Sequence, residues 1–335
     1  MAAVLAGAWR AEPPPLALPP DAVVPLVPLL LSGGSGALAW WRLRATPLGA
    51  APDLSALFET YRAYTLEAAV HETQLALAVA AFEAAGVHAL LGKGWAVARH
   101  YAQPALRPYG DLDFFLEPTA HPRALLALQQ AGRPLPVDLH QGFAYLDDRG
   151  AAALEARAIT VPVQQVAVRL FAPEDHLRLV CLHLLRHGAS RPLWLCDVAA
   201  LVEAEPLLDW DKVLAGDKRL ARAVGCVVAL AGDLLGARLP EGDALLEQMR
   251  DPPRWLRPAV LQQWGRGSGF RILLADRLQK PARLWRELRR RWPNPIEASA
   301  SMGAPFDDRS RWPFQAAHLL KGAVRFVRLR GRFYD

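Results

Sequence analysis

The chain has 335 residues, 52% of them apolar and 21% charged, with a net charge of +6 and a pI near 9.5. That is enough apolar material for one large core or two ordinary ones, and it excludes a disordered or fibrous chain. Three cysteines, Cys181, Cys196 and Cys226, cannot build a disulfide framework. They read as buried small hydrophobes, so a reducing, cytoplasmic location is expected.

Residues 1–55 are rich in proline and glycine and are expected to form an irregular or helical arm. Pro25 and Pro28 interrupt its most apolar stretch, far short of the roughly 20 residues a membrane helix needs. Glu12 and Asp21 argue against a secretory signal, and no membrane partner is expected. Gly33-Gly34-Ser35-Gly36 lacks the Lys-Ser or Lys-Thr of a phosphate loop and reads as a turn between short helices. Residues 53–85 read as a long amphipathic helix or a helix pair, with Leu66, Val70, Leu77 and Phe82 as its apolar stripe and Gly86 as its stop. A strand over 87–91 follows, then a helix over 95–101 opening directly after Gly94. Pro104 and Pro108 shape the loop that carries Arg107. Residues 111–116 predict a second strand, 122–132 a helix and 135–139 a third strand. This order describes a small α+β core without the even βαβ repeat of a dinucleotide-binding domain.

Residues 159–163 and 166–170 predict a hairpin that finishes the sheet, and Pro173 opens a helical half. Leu177, Val180, Cys181, Leu184 and Leu185 form the apolar face of its first helix, and helical patterns continue over 194–202 and 219–235. Within it, Asp175 reads as a first-turn residue favoured by the helix dipole, and Asp197 as a cap or a partner for an arginine such as Arg191. The organisation expected is therefore an arm over 1–55, a catalytic core over 56–172 and a helical, basic region over 173–335. Arg283, Arg286, Arg289, Arg290 and Arg291, then Lys321, Arg325, Arg328, Arg330 and Arg332, make its end strongly basic. That surface is a candidate RNA contact or a set of solvated arginines.

The chemistry concentrates in 90–115. In Asp111-Leu112-Asp113 the strand period of two turns both carboxylates to one face, with Leu112 and Phe114 on the other. Two like charges so close call for a cation, and hard oxygen ligands suit Mg²⁺ better than zinc. Asp138 lies in an otherwise apolar strand, where a lone carboxylate is costly unless paired or metal-bound. It reads as a third carboxylate, serving as a base, as an ion ligand or as an arginine's partner. Lys93 and Gly94 stand between a strand and a helix start, a place for phosphate: the amides there and the lysine both attract negative charge, and Gly94 lets the backbone approach. Arg107 suits a triphosphate or the aspartate pair, and Gly92 eases the turn. His140 shares the face of Asp138 and either touches the site or hydrogen-bonds to that aspartate. His183 and His187, at i and i+4, lack the glutamate of a zinc-protease motif and read as packing or hydrogen-bonding residues.

Three groups of residues carry a resemblance: 91–96 (LGKGWA), 107–113 (RPYGDLD) and 137–140 (VDLH). Downstream, 172–177 (APEDHL), 181–183 (CLH) and 195–198 (LCDV) extend it. Over roughly 60–250 the sequence resembles the uncharacterised nucleotidyltransferase family of the polymerase-β-like superfamily. The resemblance implies a short mixed sheet flanked by helices, with Asp111, Asp113 and Asp138 binding Mg²⁺ and the nucleotide phosphates. Lys93-Gly94 stands where the wider superfamily has Gly-Ser, so Gly92, Lys93, Gly94 and Arg107 are expected to hold an NTP. The function implied is Mg-dependent transfer of an NMP to an acceptor hydroxyl, with Asp111, Asp113, Asp138 and Lys93 as the catalytic set. The acceptor is a small molecule, a protein or an RNA. The rival readings are a non-catalytic nucleotide- or RNA-binding protein with the same fold, and a phosphotransferase acting at the γ-phosphorus.

Overall fold

A computed structural model describes residues 1–16, 18–240, 251–266 and 292–331. Along Leu112–Leu116 (β2) the side chains alternate as the sequence predicts, and both faces of the strand are covered. Leu112, Phe114 and Leu116 pack against Leu75, Ala78, Val79 and Phe82 of the long helix Ser55–Ala84, with Phe114 and Phe82 in edge-to-face contact at 5.0 Å. On the other face Phe115 joins Leu90, Phe171 and Leu179. β2 belongs to a five-stranded mixed sheet with Leu90–Gly92 (β1), Val137–Gln141 (β3), Ile159–Val163 (β4) and Val166–Leu170 (β5), in the order β3-β2-β1-β5-β4, with β1 at its centre. β1 runs antiparallel to β2 and parallel to β5, whereas β3 is parallel to β2. The β4–β5 hairpin closes in a two-residue turn with Gln164 at φ 52°.

Two pairings position everything chemical: Gly92 lies opposite Asp113 across β1–β2, and Asp113 lies beside Asp138 across β2–β3. The third strand begins two residues later than its apolar pattern suggests, because it pairs in parallel with β2 from Leu112–Val137 to Leu116–Gln141. That shift places His140 inside the strand, beside Phe115.

The helical half follows the expected order: Pro173–Arg186, Pro192–Ala204, Trp210–Leu214 and Lys218–Leu235. Asp217 caps the last of these by accepting from the amides of Arg219 and Leu220, and Gly236, at φ 65°, ends it. The arm shares the core of this half: Val4, Leu5, Trp9, Leu38 and Leu43 pack in one cluster with its helices. Arg10 fixes the contact through two hydrogen bonds to Glu203, and the Trp9 indole donates to the same carboxylate. The glycine-rich run is indeed a turn, between helices Val27–Ser32 and Gly36–Leu43.

Three of these expectations need correction. Leu66, Val70 and Leu77 do not form the buried stripe of the long helix, being 72%, 55% and 37% exposed. Its buried set is Leu57 near one end and Leu75, Ala78, Val79 and Phe82 at the other, because only its final turns lie on the sheet. The helix after Gly94 is short, Gly94–Ala98. Asp175 does lie in the first turn of Pro173–Arg186, as expected, and is in addition wholly buried and paired with Arg149 and Arg157. Asp197 pairs with Arg107, not Arg191. Among the described residues, helices Leu256–Trp264, Pro295–Ser301 and Trp312–Gly331 follow. Lys321 is exposed on the last helix. Arg283, Arg286, Arg289, Arg290, Arg291 and Arg332 lie outside the described residues, and so do the side chains of Arg325, Arg328 and Arg330. No helix among the described residues is long and apolar enough to cross a membrane.

Candidate active site

The site starts from β1. Gly92 has no room for a side chain: a Cβ there would lie 2.8 Å from Leu179, 3.1 Å from Phe115 and 3.2 Å from Phe171. Its role is to let the Pro173–Arg186 helix sit down on the strand. Lys93 follows at φ 53° and ψ −143°, a backbone conformation that L-residues rarely adopt. Its amide is held there by the Nε2 of His176 at 3.0 Å. His176 is buried, and desolvation, with nearby cationic groups adding to it, drives its pKa to about 3. The imidazole is therefore neutral and accepts the amide proton at Nε2. That amide is already spent and cannot also bind a phosphate. Gly94, at φ 25°, lets the turn approach the Asp111 carbonyl, which a Cβ would meet at 3.3 Å.

The strained turn aims the Lys93 ammonium at Asp113, with which it forms an almost buried ion pair. Asp113 Oδ1 also lies 2.8 Å from His140 Nε2, and that nitrogen is 3.4 Å from Asp138 Oδ2 and 3.5 Å from the Lys93 ammonium. The His140 ring stacks on Phe115 at 4.3 Å, which fixes its plane. Burial, the largest single effect on Asp113, raises its pKa. The hydrogen bonds and charges of His140 and Lys93 together outweigh it and hold the carboxyl below its ordinary value.

Asp113, Asp138 and His140 can bring one ligand atom each within 4.8 Å of one another. Two carboxylate oxygens and one imidazole nitrogen fit a divalent cation, and this mixed set does not single out Mg²⁺. Holding a cation through Nε2 requires the imidazole proton to sit on Nδ1, since Nε2 now faces two carboxylates. Asp111 was expected in this set. It lies on the bend just before β2, exposed, and is not one of the clustered ligands. Its pKa is raised, first by partial burial, then by the charge of Asp113, with Lys93 opposing and Asp138 adding.

Arg107 takes other partners than a triphosphate. Its guanidinium is buried and forks onto Asp197, with 2.7 Å from Nη2 to Oδ2 and 3.0 Å from Nε to Oδ1. The Tyr101 hydroxyl donates to the same carboxylate at 2.7 Å. Arg107 still acts on the site at a distance, since its charge is felt at both Asp111 and His176.

A family model for uncharacterised nucleotidyltransferases matches residues 34–135 and 133–236. The chain belongs to that family. The matched span holds all five strands, Lys93, the three clustered ligands, His176 and the Arg107–Asp197 pair. No curated protein and no solved structure matches the chain. In this chain the sheet provides the two carboxylates, while the helical half provides the residue that shapes the lysine turn. His176 carried no spacing signal of its own, and His140 was legible only as a neighbour of Asp138.

Proposed function

We propose that this nucleotidyltransferase-family chain moves a nucleoside monophosphate from an NTP to an acceptor hydroxyl, releasing pyrophosphate. The observation that carries the reading is the in-register pair Asp113–Asp138 with His140 beside it, facing one lysine. Asp113 and Asp138 would hold Mg²⁺, with Asp111 adding a third carboxylate from the adjoining bend. A bound divalent cation supplies charge neutralisation for the triphosphate and a template for its phosphates.

The protein's own groups divide the remaining work. Lys93, which pairs with Asp113, would supply positive charge to the triphosphate, the negative charge that builds up in the transfer being stabilised by its ammonium. Gly92 and Gly94 keep the turn close to the strand end, and Arg107 contributes a fixed positive field. Asp138 has a side chain 52% exposed, so an acceptor can reach it. The acceptor oxygen attacks the α-phosphorus as its proton passes to Asp138. The bond from the α-phosphorus to the bridging oxygen breaks, and pyrophosphate leaves. The three cysteines, free and buried, fit a cytoplasmic protein.

The test is incubation with α-labelled and γ-labelled ATP, Mg²⁺ and a cell extract as the source of acceptors. Transfer of α label alone is the expected result, and it should vanish in Asp113→Ala. Transfer of γ label would make the chain a phosphotransferase. Binding of MgATP with neither label moving would make it a nucleotide-binding protein.

A further inference from the structure

The exposed apolar residues of the long helix Ser55–Ala84 are regularly spaced. Ala63, Leu66, Val70, Thr73, Leu77 and Ala80 all face solvent, and they recur at alternating intervals of three and four. That is the spacing of a coiled-coil seam, which keeps one stripe turned toward a neighbouring helix. Thr73 suits such a seam because its hydroxyl already donates to the Ala69 carbonyl of its own helix, at 3.3 Å. A second stripe with the same spacing, Tyr61, Tyr64, Ala68, His71, Leu75 and Ala78, is buried or half-buried against the body of the protein. The helix therefore carries two nearly opposed stripes, and the body covers one of them.

The polar residues beside the outer stripe indicate what covers it. A two-fold axis passing between His71 and Glu72 sets the helix antiparallel to a second copy of itself. Val70 then meets the partner's Thr73, Leu66 the partner's Leu77 and Ala63 the partner's Ala80. On one edge of this seam Arg62 comes opposite the partner's Glu83, and on the other Glu67 comes opposite the partner's Gln74. Within its own chain Arg62 reaches Glu59 in a solvent-exposed pair. Glu83 is exposed and has no ion pair among the described residues. A parallel pairing would set Arg62 against the partner's Glu67 and leave Glu83 and Gln74 unmatched. The antiparallel order matches all four and also opposes the two helix dipoles.

We propose that this face is a homodimer interface, in which two copies pair antiparallel through the helix over residues 63–80, a seam of about 26 Å. The same patch is used by both copies, so the assembly closes at two. His71, on the inward stripe, lies 4.8 Å from the Tyr109 ring, two residues before Asp111. The seam is therefore on the side of the helix away from the candidate active site.

Sedimentation equilibrium of the full-length protein at micromolar concentrations is the test. The wild type should show a mass of twice 36.7 kDa. Leu66→Glu should raise the dissociation constant at least ~100-fold, because the dimer buries this leucine twice. Arg62→Glu and Glu83→Arg should each weaken pairing roughly 3- to 30-fold, since two exposed ion pairs become repulsive. Both substitutions in one chain should restore it, the pair forming again with its sign reversed. All these side chains are exposed, so the melting of the dissociated chain should not shift. If Leu66→Glu loses its cooperative melting, Leu66→Gln takes its place. A wild type that stays monomeric, or a Leu66 variant that dimerises as well as the wild type, would overturn the inference. Charge swaps without rescue in combination would overturn it too, because the antiparallel register requires Arg62 and Glu83 to meet.

Discussion

Replacing Arg107 separates two roles for that residue, because they predict opposite readouts. The Arg107 and Asp197 side chains are only 8% and 2% exposed, so neither charge is screened by solvent. Arg107→Ala leaves the Asp197 carboxylate buried with the Tyr101 hydroxyl as its remaining side-chain donor among those observed. Breaking one side of a buried pair in this way costs about 3–5 kcal/mol. That is roughly a 10²- to 10³-fold or larger change in the folded-to-unfolded ratio, a large fraction of an ordinary domain's stability. Urea denaturation followed by circular dichroism should show the midpoint falling with an unchanged slope. Replacing the whole network by apolar residues, Tyr101→Phe, Arg107→Met and Asp197→Leu together, should recover most of the loss, since no buried charge is then left unpaired. A phosphate-binding Arg107 behaves differently. Its alanine variant would keep the wild-type midpoint and raise only the KM for the NTP. That outcome would refute the structural role given to the pair.

Three further outcomes follow from the same geometry. Asp138→Asn should reduce α-label transfer by ~10²- to 10⁴-fold, the usual worth of a general base. Its melting temperature should not move, because the side chain is half exposed. Stability should fall in acid through Asp113, whose pKa is lower in the folded protein than in the unfolded chain. Its contribution is full above roughly pH 4, the ordinary carboxylate range, and is lost as the pH falls through the folded-state value. Chemical denaturation between roughly pH 2 and 6 should show that component in the wild type and not in Asp113→Asn. Gly92→Ala should cost about 1–3 kcal/mol by overpacking, with Leu179→Ala in the same chain restoring part of it. A Gly92→Ala protein of unchanged stability would mean that the helix does not rest on β1 as described.

Local periodicity was enough to locate most elements. The alternation of Leu112, Phe114 and Leu116 with Asp113 and Phe115 marked β2, and the Pro173 start and the β4–β5 pair were equally plain. It also named Asp113, Asp138 and Lys93, because a carboxylate in an apolar strand and a lysine in a glycine turn are visible without partners. Stripe assignment failed for Leu66, Val70 and Leu77, since a helix of 30 residues meets the sheet only over its last turns and periodicity does not say which turns those are.

What the tertiary structure alone decided is how those groups combine. Parallel pairing of β2 with β3 set Asp113 beside Asp138 and drew in His140, while Asp111, one residue short of the strand, stayed off the cluster. Arg107 found Asp197 ninety positions away, and Lys93 found His176 across a helix boundary. Strand and helix preferences act over a few neighbouring residues. Register, and the way one helix seats on a glycine, depend on burying apolar surface from distant parts of the chain, and no single segment encodes that.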